Sequence, residues 1–239
     1  MSLGGLLIGL FLSCDAKITT DPLAVEFNSV AVHRKNPKGL RLSKRSSIKV
    51  TVESPDGTPM GSASGNYFKH DGNYFILTAA HVADKPQDSK IMILEKLGVG
   101  KVEARVIYKN DEIDLAVMLL SDKLATADAI KWNRKDRWDI QVGDYLYYTG
   151  NPIEMTGLSF EGFVSKVYTD MIVMQGFAWM GSSGSAVFDD RGRVVGVISA
   201  IKFDVPGGAF PQLIPSLVLV APISVLHDGE LEAILEANQ

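Results

Sequence analysis

The chain has 239 residues, a formal net charge of −4 and a single cysteine, Cys14. An intrachain disulfide is therefore excluded, and with it membership among disulfide-stapled secreted domains. A chain of this length buries roughly 70–75% of its unfolded surface and needs no staple. The mildly acidic balance carries no nucleic-acid footprint.

From the N-terminus, Leu3 to Leu12 is an apolar run. It is shorter than the about 20 residues that span a bilayer and has the length of the apolar part of an export signal. Leu12-Ser13-Cys14 resembles the end of a bacterial lipoprotein signal. The expectation is a signal, lipoprotein-like or membrane-anchor segment over 1–14, with Cys14 the lipidation site. No Lys or Arg precedes the run, and Phe11 stands where such signals carry Leu, Val or Ile. Residues 15–44 are expected to be a tether and lead-in. Arg34, Lys35, Lys38, Arg41, Lys44, Arg45 and Lys49 follow one another without an acid among them. That stretch reads either as a contact with an anionic surface or as a solvated linker running into the polar face of a first strand.

From residue 45 the hydrophobic period is two. Ser47 to Val52 alternates. Asn66-Tyr67-Phe68 and Asn73 to Leu77 flank Asp71-Gly72, a hairpin turn. Ile91 to Leu94, Val102 to Ile107 and the buried-looking Leu115 to Leu120 complete a first unit, 45–125. Residues 122–139 read as the bridge. A second unit, 126–222, holds Tyr145 to Tyr148, Phe160 to Val167, Met171 to Met174, Ala186 to Phe188, Val194 to Ile201 and Leu217 to Val220. Strands at this spacing make a sandwich or a barrel. After Pro222, residues 223–239 read as a short C-terminal helix with a Leu231, Ile234, Leu235 stripe.

Three motifs carry chemistry. Thr78-Ala79-Ala80-His81 ends a strand, Asp114 precedes a buried one, and Ser183 sits in Gly181-Ser182-Ser183-Gly184-Ser185. A serine hydroxyl needs a base within about 3 Å to become a nucleophile. His81 offers an imidazole that titrates near working pH, and Asp114 would hold its tautomer and offset the imidazolium charge. Asp111 and Glu112 are rivals for the acid, and Ser182 and Ser185 for the nucleophile. The N–H groups of Gly181 and Ser183 would form the oxyanion hole, a pair of donors aimed at developing negative charge. Gly98-Val99-Gly100-Lys101 lacks the residues of a phosphate loop. No His-Glu-x-x-His and no paired cysteines point to a metal, and no cofactor is implied.

In this order and on these residues, the chain resembles the chymotrypsin-type trypsin-like peptidases, and more closely their compact bacterial HtrA-like branch. The resemblance runs from about Gly61 to Ile223. It also rests on Gly150-Asn151-Pro152, Gly162-Phe163-Val164-Ser165 and Val194 to Ala200. It implies an all-β fold of two six-stranded antiparallel β-barrels with a short C-terminal helix, and a site in the cleft between them. It implies that Phe177 and Met180 line an apolar primary pocket, unless both simply pack the second barrel. It implies further that Ser199, Ala200 and Ile201 offer an edge to a substrate strand. Ser185 stands where the family usually has glycine, and Ser182 where trypsins have an aspartate that receives a freed N-terminus. The expectation is a member of that branch without a PDZ module.

The function expected is a serine endopeptidase acting on protein or peptide substrates through an acyl-enzyme. It would be exported, to a periplasm or cell envelope, with a possible membrane tether through its N-terminus. A catalytically silent protease-fold binding protein and a viral processing protease are the alternatives.

Overall fold

In the computed structural model the described residues are 36–95, 100–136, 139–204 and 212–238. The apolar run 3–12 and Cys14 lie outside them, as does most of the tether expected over 15–44. Among the described residues thirteen strands follow one another: β1 (Ser47–Glu53), β2 (Pro59–His70), β3 (Asn73–Thr78), β4 (Lys90–Leu94), β5 (Lys101–Asn110), β6 (Leu115–Leu120), β7 (Ile130–Lys131), β8 (Tyr145–Gly150), β9 (Leu158–Val167), β10 (Ile172–Gly176), β11 (Ala186–Asp189), β12 (Val194–Asp204) and β13 (Gln212–Pro222). Helix α1 (Lys38–Ser46) precedes them and α2 (Asp228–Glu236) follows.

The first barrel runs β1-β4-β5-β6-β3-β2 and closes where β2 returns to β1, with every pairing antiparallel. Strand β7 adds to β2 in parallel. The second barrel is the closed ring β10-β13-β12-β11-β8-β9. The turn between β2 and β3 is the Asp71-Gly72 pair, both with positive φ (44° and 84°), as a right-twisted two-residue hairpin requires.

Period-two alternation sorts side chains between two destinations. In β6, Ala116 and Met118 face the interior of the first barrel, while Leu115 and Val117 face a separate cluster at the seam. Strand β3 divides in the same way, Ile76 inward and Phe75 and Leu77 to the seam. From the other side, Val187 of β11 enters the second barrel, and Ala186 and Phe188 join the seam. Strands between two cores read as continuous apolar runs, which is why Leu115 to Leu120 shows no polar face. Helix α2 covers the seam with Leu231 and Leu235, both buried. It starts later than Pro222: a 3-10 turn, Ile223–Val225, comes first. No helix among the described residues is long and apolar enough to cross a membrane.

Helix α1 falls in and just beyond the expected lead-in. Its inward face is Gly39, Ser43 and Ser46, all buried. Ser43 Oγ lies 2.8 Å from Thr149 Oγ1 of β8, and Asn66 Nδ2 of β2 donates to Ser46 Oγ at 2.7 Å. A Cβ at Gly39 would lie 2.0 Å from the Asp189 carbonyl oxygen. Lys38, Arg41, Lys44 and Arg45 point outward. Small and hydroxyl residues let the helix backbone come close to β11, so no apolar stripe is needed.

Candidate active site

His81 sits on a 3-10 turn, Ala80–Val82, immediately after β3. Ala79 and Ala80 are buried, and their small side chains seat the turn against the barrel. Asp114 precedes β6 with φ +58°, a left-handed conformation that Asp tolerates better than most residues. That backbone turn presents its carboxylate to His81. Oδ1 accepts the His81 backbone N–H at 2.9 Å, and the ring Nδ1 lies 3.0 Å from Oδ1 and 2.9 Å from Oδ2. The Ser199 hydroxyl donates to Oδ2. The rival acid Asp111 instead pairs with Lys109 at 2.7 Å.

These contacts move both titrations. The bond to Asp114 raises the His81 pKa above its ordinary 6.5, against the opposing effect of burial. Burial alone would raise the Asp114 carboxyl. The bonds from the His81 ring, the Ser199 hydroxyl and the His81 N–H outweigh it and hold the carboxyl below its ordinary 3.8. The imidazolium–carboxylate form is thus favoured, as a base that takes a proton requires.

Ser199 occupies a break in the ladder between β12 and β13: Ile198 pairs with Val220 and Ala200 with Leu219. A bulge re-aims the side chain it carries, here onto Asp114. On the side away from β13, pairing ends where Ile198 bonds Gly184 N–H and Ser185 carbonyl. Ser199, Ala200 and Ile201 therefore have no strand neighbour on that side among the described residues.

Ser183 and Gly181 share a cleft of about 210 Å³ with His81. Its other walls come from the first barrel: Val50, Val52, Gly61, Ser62, Ala63, Val82 and Asp84. Ser182 and Ser185 are buried and do not line it. No hydrogen bond joins Ser183 to His81 among the described residues. The Ser183 hydroxyl points to the Ser199 carbonyl at 3.5 Å. A rotation about one side-chain bond re-aims a serine hydroxyl, and such bonds are often open before substrate arrives.

The loop leading to β11 has a specific pattern of satisfied and open backbone groups. The Met180 carbonyl accepts from Ile153 N–H at 3.1 Å, and the Ser182 carbonyl from Ser185 N–H at 3.0 Å. In a trans peptide the N–H points opposite to the C=O, so the N–H groups of Gly181 and Ser183 are turned the other way. Neither has a partner among the described residues, whereas Ser182 N–H bonds Trp179 carbonyl and Gly184 N–H bonds Ile198 carbonyl. Gly181 has φ +93°, and a Cβ there would stand 2.8 Å from the Asn151 carbonyl oxygen, so this peptide orientation needs glycine.

Phe177 and Met180 lie outside the lining of this cleft. The Phe177 ring is half exposed and lies parallel to Trp179 with centroids 6.2 Å apart, and it also contacts Phe160. Met180 is 70% exposed. The Ser199 hydroxyl on Asp114 and the anchoring of the nucleophile loop by Ile153 went unread in the sequence. The bulge and a backbone bond leave no mark on residue type.

Two closed six-stranded antiparallel barrels with a cleft at their seam define a chymotrypsin-like fold. Residues 63–197, more than half of the chain, match the trypsin-like peptidase domain, and the chain belongs to that family. It is similar to a probable periplasmic serine endoprotease, DegP-like, of Bartonella henselae, 27% identical over 181 residues that cover 67% of this chain and 34% of the relative. The protein of the same description from Buchnera aphidicola is 29% identical over 54% of this chain and 28% of its own length. The chain thus spans about a third of the length of the curated relatives it matches. Among solved structures, a serine endoprotease from Yersinia pestis superposes with a TM-score of 0.64 at 18% identity, covering 84% of this chain and 66% of that one.

Proposed function

We propose that the protein is a serine endopeptidase that works through Ser183, His81 and Asp114 and a covalent acyl-enzyme. The observation that carries the reading is the juxtaposition in one cleft of an Asp114-bound imidazole, a serine hydroxyl and two unpaired backbone N–H groups. His81 Nε2 takes the Ser183 proton as Oγ bonds to the substrate carbonyl carbon, while the N–H groups of Gly181 and Ser183 receive the oxyanion. His81 then gives that proton to the leaving amine as the C–N bond breaks. Water, deprotonated by the same imidazole, releases the acid and restores the hydroxyl. The open side of Ser199 to Ile201 takes the substrate backbone as an added strand.

The segments assigned from sequence stand as part of this proposal. Residues 45–125 and 126–222 are the two barrels, and the first 14 residues direct export, with Cys14 as a lipid attachment point. The periplasmic descriptions of the relatives support an exported location. Protein or peptide is the substrate.

A fluorophosphonate probe tests the site directly. The wild-type chain labels at one residue and Ser183→Ala does not. Labelling that survives the substitution, or is absent from wild type, overturns the reading.

A further inference from the structure

The nucleophile loop belongs to the second barrel, yet its fullest anchor is on the first. Ser64, in β2, is completely buried and uses each of its polar groups. Its N–H donates to the Ser183 carbonyl at 2.9 Å, and its carbonyl accepts from Thr78 Oγ1 at 2.8 Å. Its hydroxyl accepts the Asn151 N–H at 2.8 Å and donates to the Gly181 carbonyl at 2.7 Å. Ser64 thus holds the carbonyl groups of the same two residues whose N–H groups are unpaired.

The hydroxyl also stands where two anchors meet. It bonds the Gly181–Ser182 peptide directly. Through Asn151 it bonds the segment that carries Ile153, whose N–H holds the Met180 carbonyl. Ile153 adopts φ +48° and ψ +48°, a costly conformation for a β-branched residue that persists only where its surroundings enforce it. Gly181, lying between the two anchored peptides, is the easiest point of the loop to rotate. Without the Ser64 hydroxyl, the Gly181 carbonyl and the Asn151 N–H both lose their partner, and nothing else among the described bonds holds the Gly181 carbonyl.

Resting on the peptidase reading above, we infer that Ser64 is a positioning residue for the oxyanion hole: its hydroxyl, fixed to the first barrel, keeps the Gly181 N–H facing the cleft. The site is then assembled by the docking of the two barrels, with a neutral serine clamp acting on the loop from outside it.

The test compares Ser64→Ala, Ser64→Thr and wild type in the full chain, using a fluorogenic peptide amide for turnover and a peptidyl-leucine boronic acid, whose tetrahedral adduct needs the same donors. Ser64→Ala lowers kcat about 10–100-fold, less than the 10²–10³ typical of losing a donor outright, and leaves KM within about two-fold. Boronate affinity falls by the same factor as kcat, and Ser64→Thr restores both. A merely structural role would lower the melting temperature without this split. Should Ser64→Ala not fold, Ser64→Cys, with its weaker donor, shows a smaller loss of the same kind. A folded variant with wild-type kcat and boronate affinity overturns the clamp alone. A wild-type chain that neither hydrolyses the amide nor binds the boronate overturns the peptidase reading, and the clamp with it.

Discussion

The two halves of the candidate site are built from different materials. On the first barrel, His81, Asp114 and the incoming Ser199 hydroxyl form a chain of side-chain bonds, each 3.0 Å or shorter. On the second, the side proposed to receive the oxyanion is made of peptide groups, and its geometry depends on what holds their carbonyls: Ile153, Ser185 and, across the seam, Ser64. A side-chain relay is set by residue type and can be broken one atom at a time. A backbone cradle is set by conformation and breaks when the loop turns.

The largest effect is expected on the side-chain half. Asp114→Asn keeps shape but removes the charge and leaves the wrong tautomer on His81, and kcat/KM falls by about 10⁴. The pH profile gives the sign. Only neutral His81 accepts a proton, so activity rises as pH passes its folded pKa. That pKa lies above 6.5 because of Asp114, so in Asp114→Asn the acid limb moves to lower pH. The same pair affects stability. The His81 share is full below its ordinary 6.5 and is lost as pH rises through the raised value. The Asp114 share is present above its ordinary 3.8 and is lost as pH falls through the depressed one. Wild type should therefore exceed Asp114→Asn in melting temperature most clearly between those limits. An acid limb that does not move in the variant would separate the two residues.

Next comes the backbone half. Gly181→Ala places a Cβ against the Asn151 carbonyl in a left-handed conformation, so the loop must turn and one donor leaves the cleft. A loss of about 10²–10³ in kcat follows. The His81 limb of the pH profile stays in place, because no group bonded to His81 has changed. Steady-state profiles of the two variants together show whether the halves fail independently. A shifted limb in Gly181→Ala would mean that they do not.

The same division explains what the sequence made legible. His81, Asp114 and Ser183 stand out in the sequence because the proposed chemistry calls for those residue types, and the strands because one buried face imposes a period of two. Helix α1 was not, since Gly39, Ser43 and Ser46 form its inward face and no apolar stripe announces a helix. Helix α2, with Leu231 and Leu235, was. Ser64 gave no signal within Ser62-Ala63-Ser64-Gly65, because the bond that matters is to a carbonyl 117 positions away. The Ser199 hydroxyl carries no such signal, because a continuous apolar run, Val194 to Ile198, precedes it and nothing in residue type marks the bulge that turns it.

The smallest effect concerns Ser185, which replaces the family's usual glycine. Its side chain fits because Gly150 has none: a Cβ at Gly150 would stand 2.4 Å from Ser185 Oγ and 3.1 Å from Ser64 Oγ. The hydroxyl is buried and has no hydrogen-bond partner among the described residues, a condition that costs about 1–3 kcal/mol. Ser185→Ala removes the unpaired oxygen and keeps the N–H that holds the Ser182 carbonyl. The variant should gain about 1 kcal/mol, about 2–4 °C in melting temperature for a chain of this size, with kcat within about two-fold of wild type. Calorimetry alongside turnover checks both. If stability rose but turnover collapsed, the cradle would depend on that hydroxyl as well as on peptide groups, and the contrast between the two halves would fail at this residue.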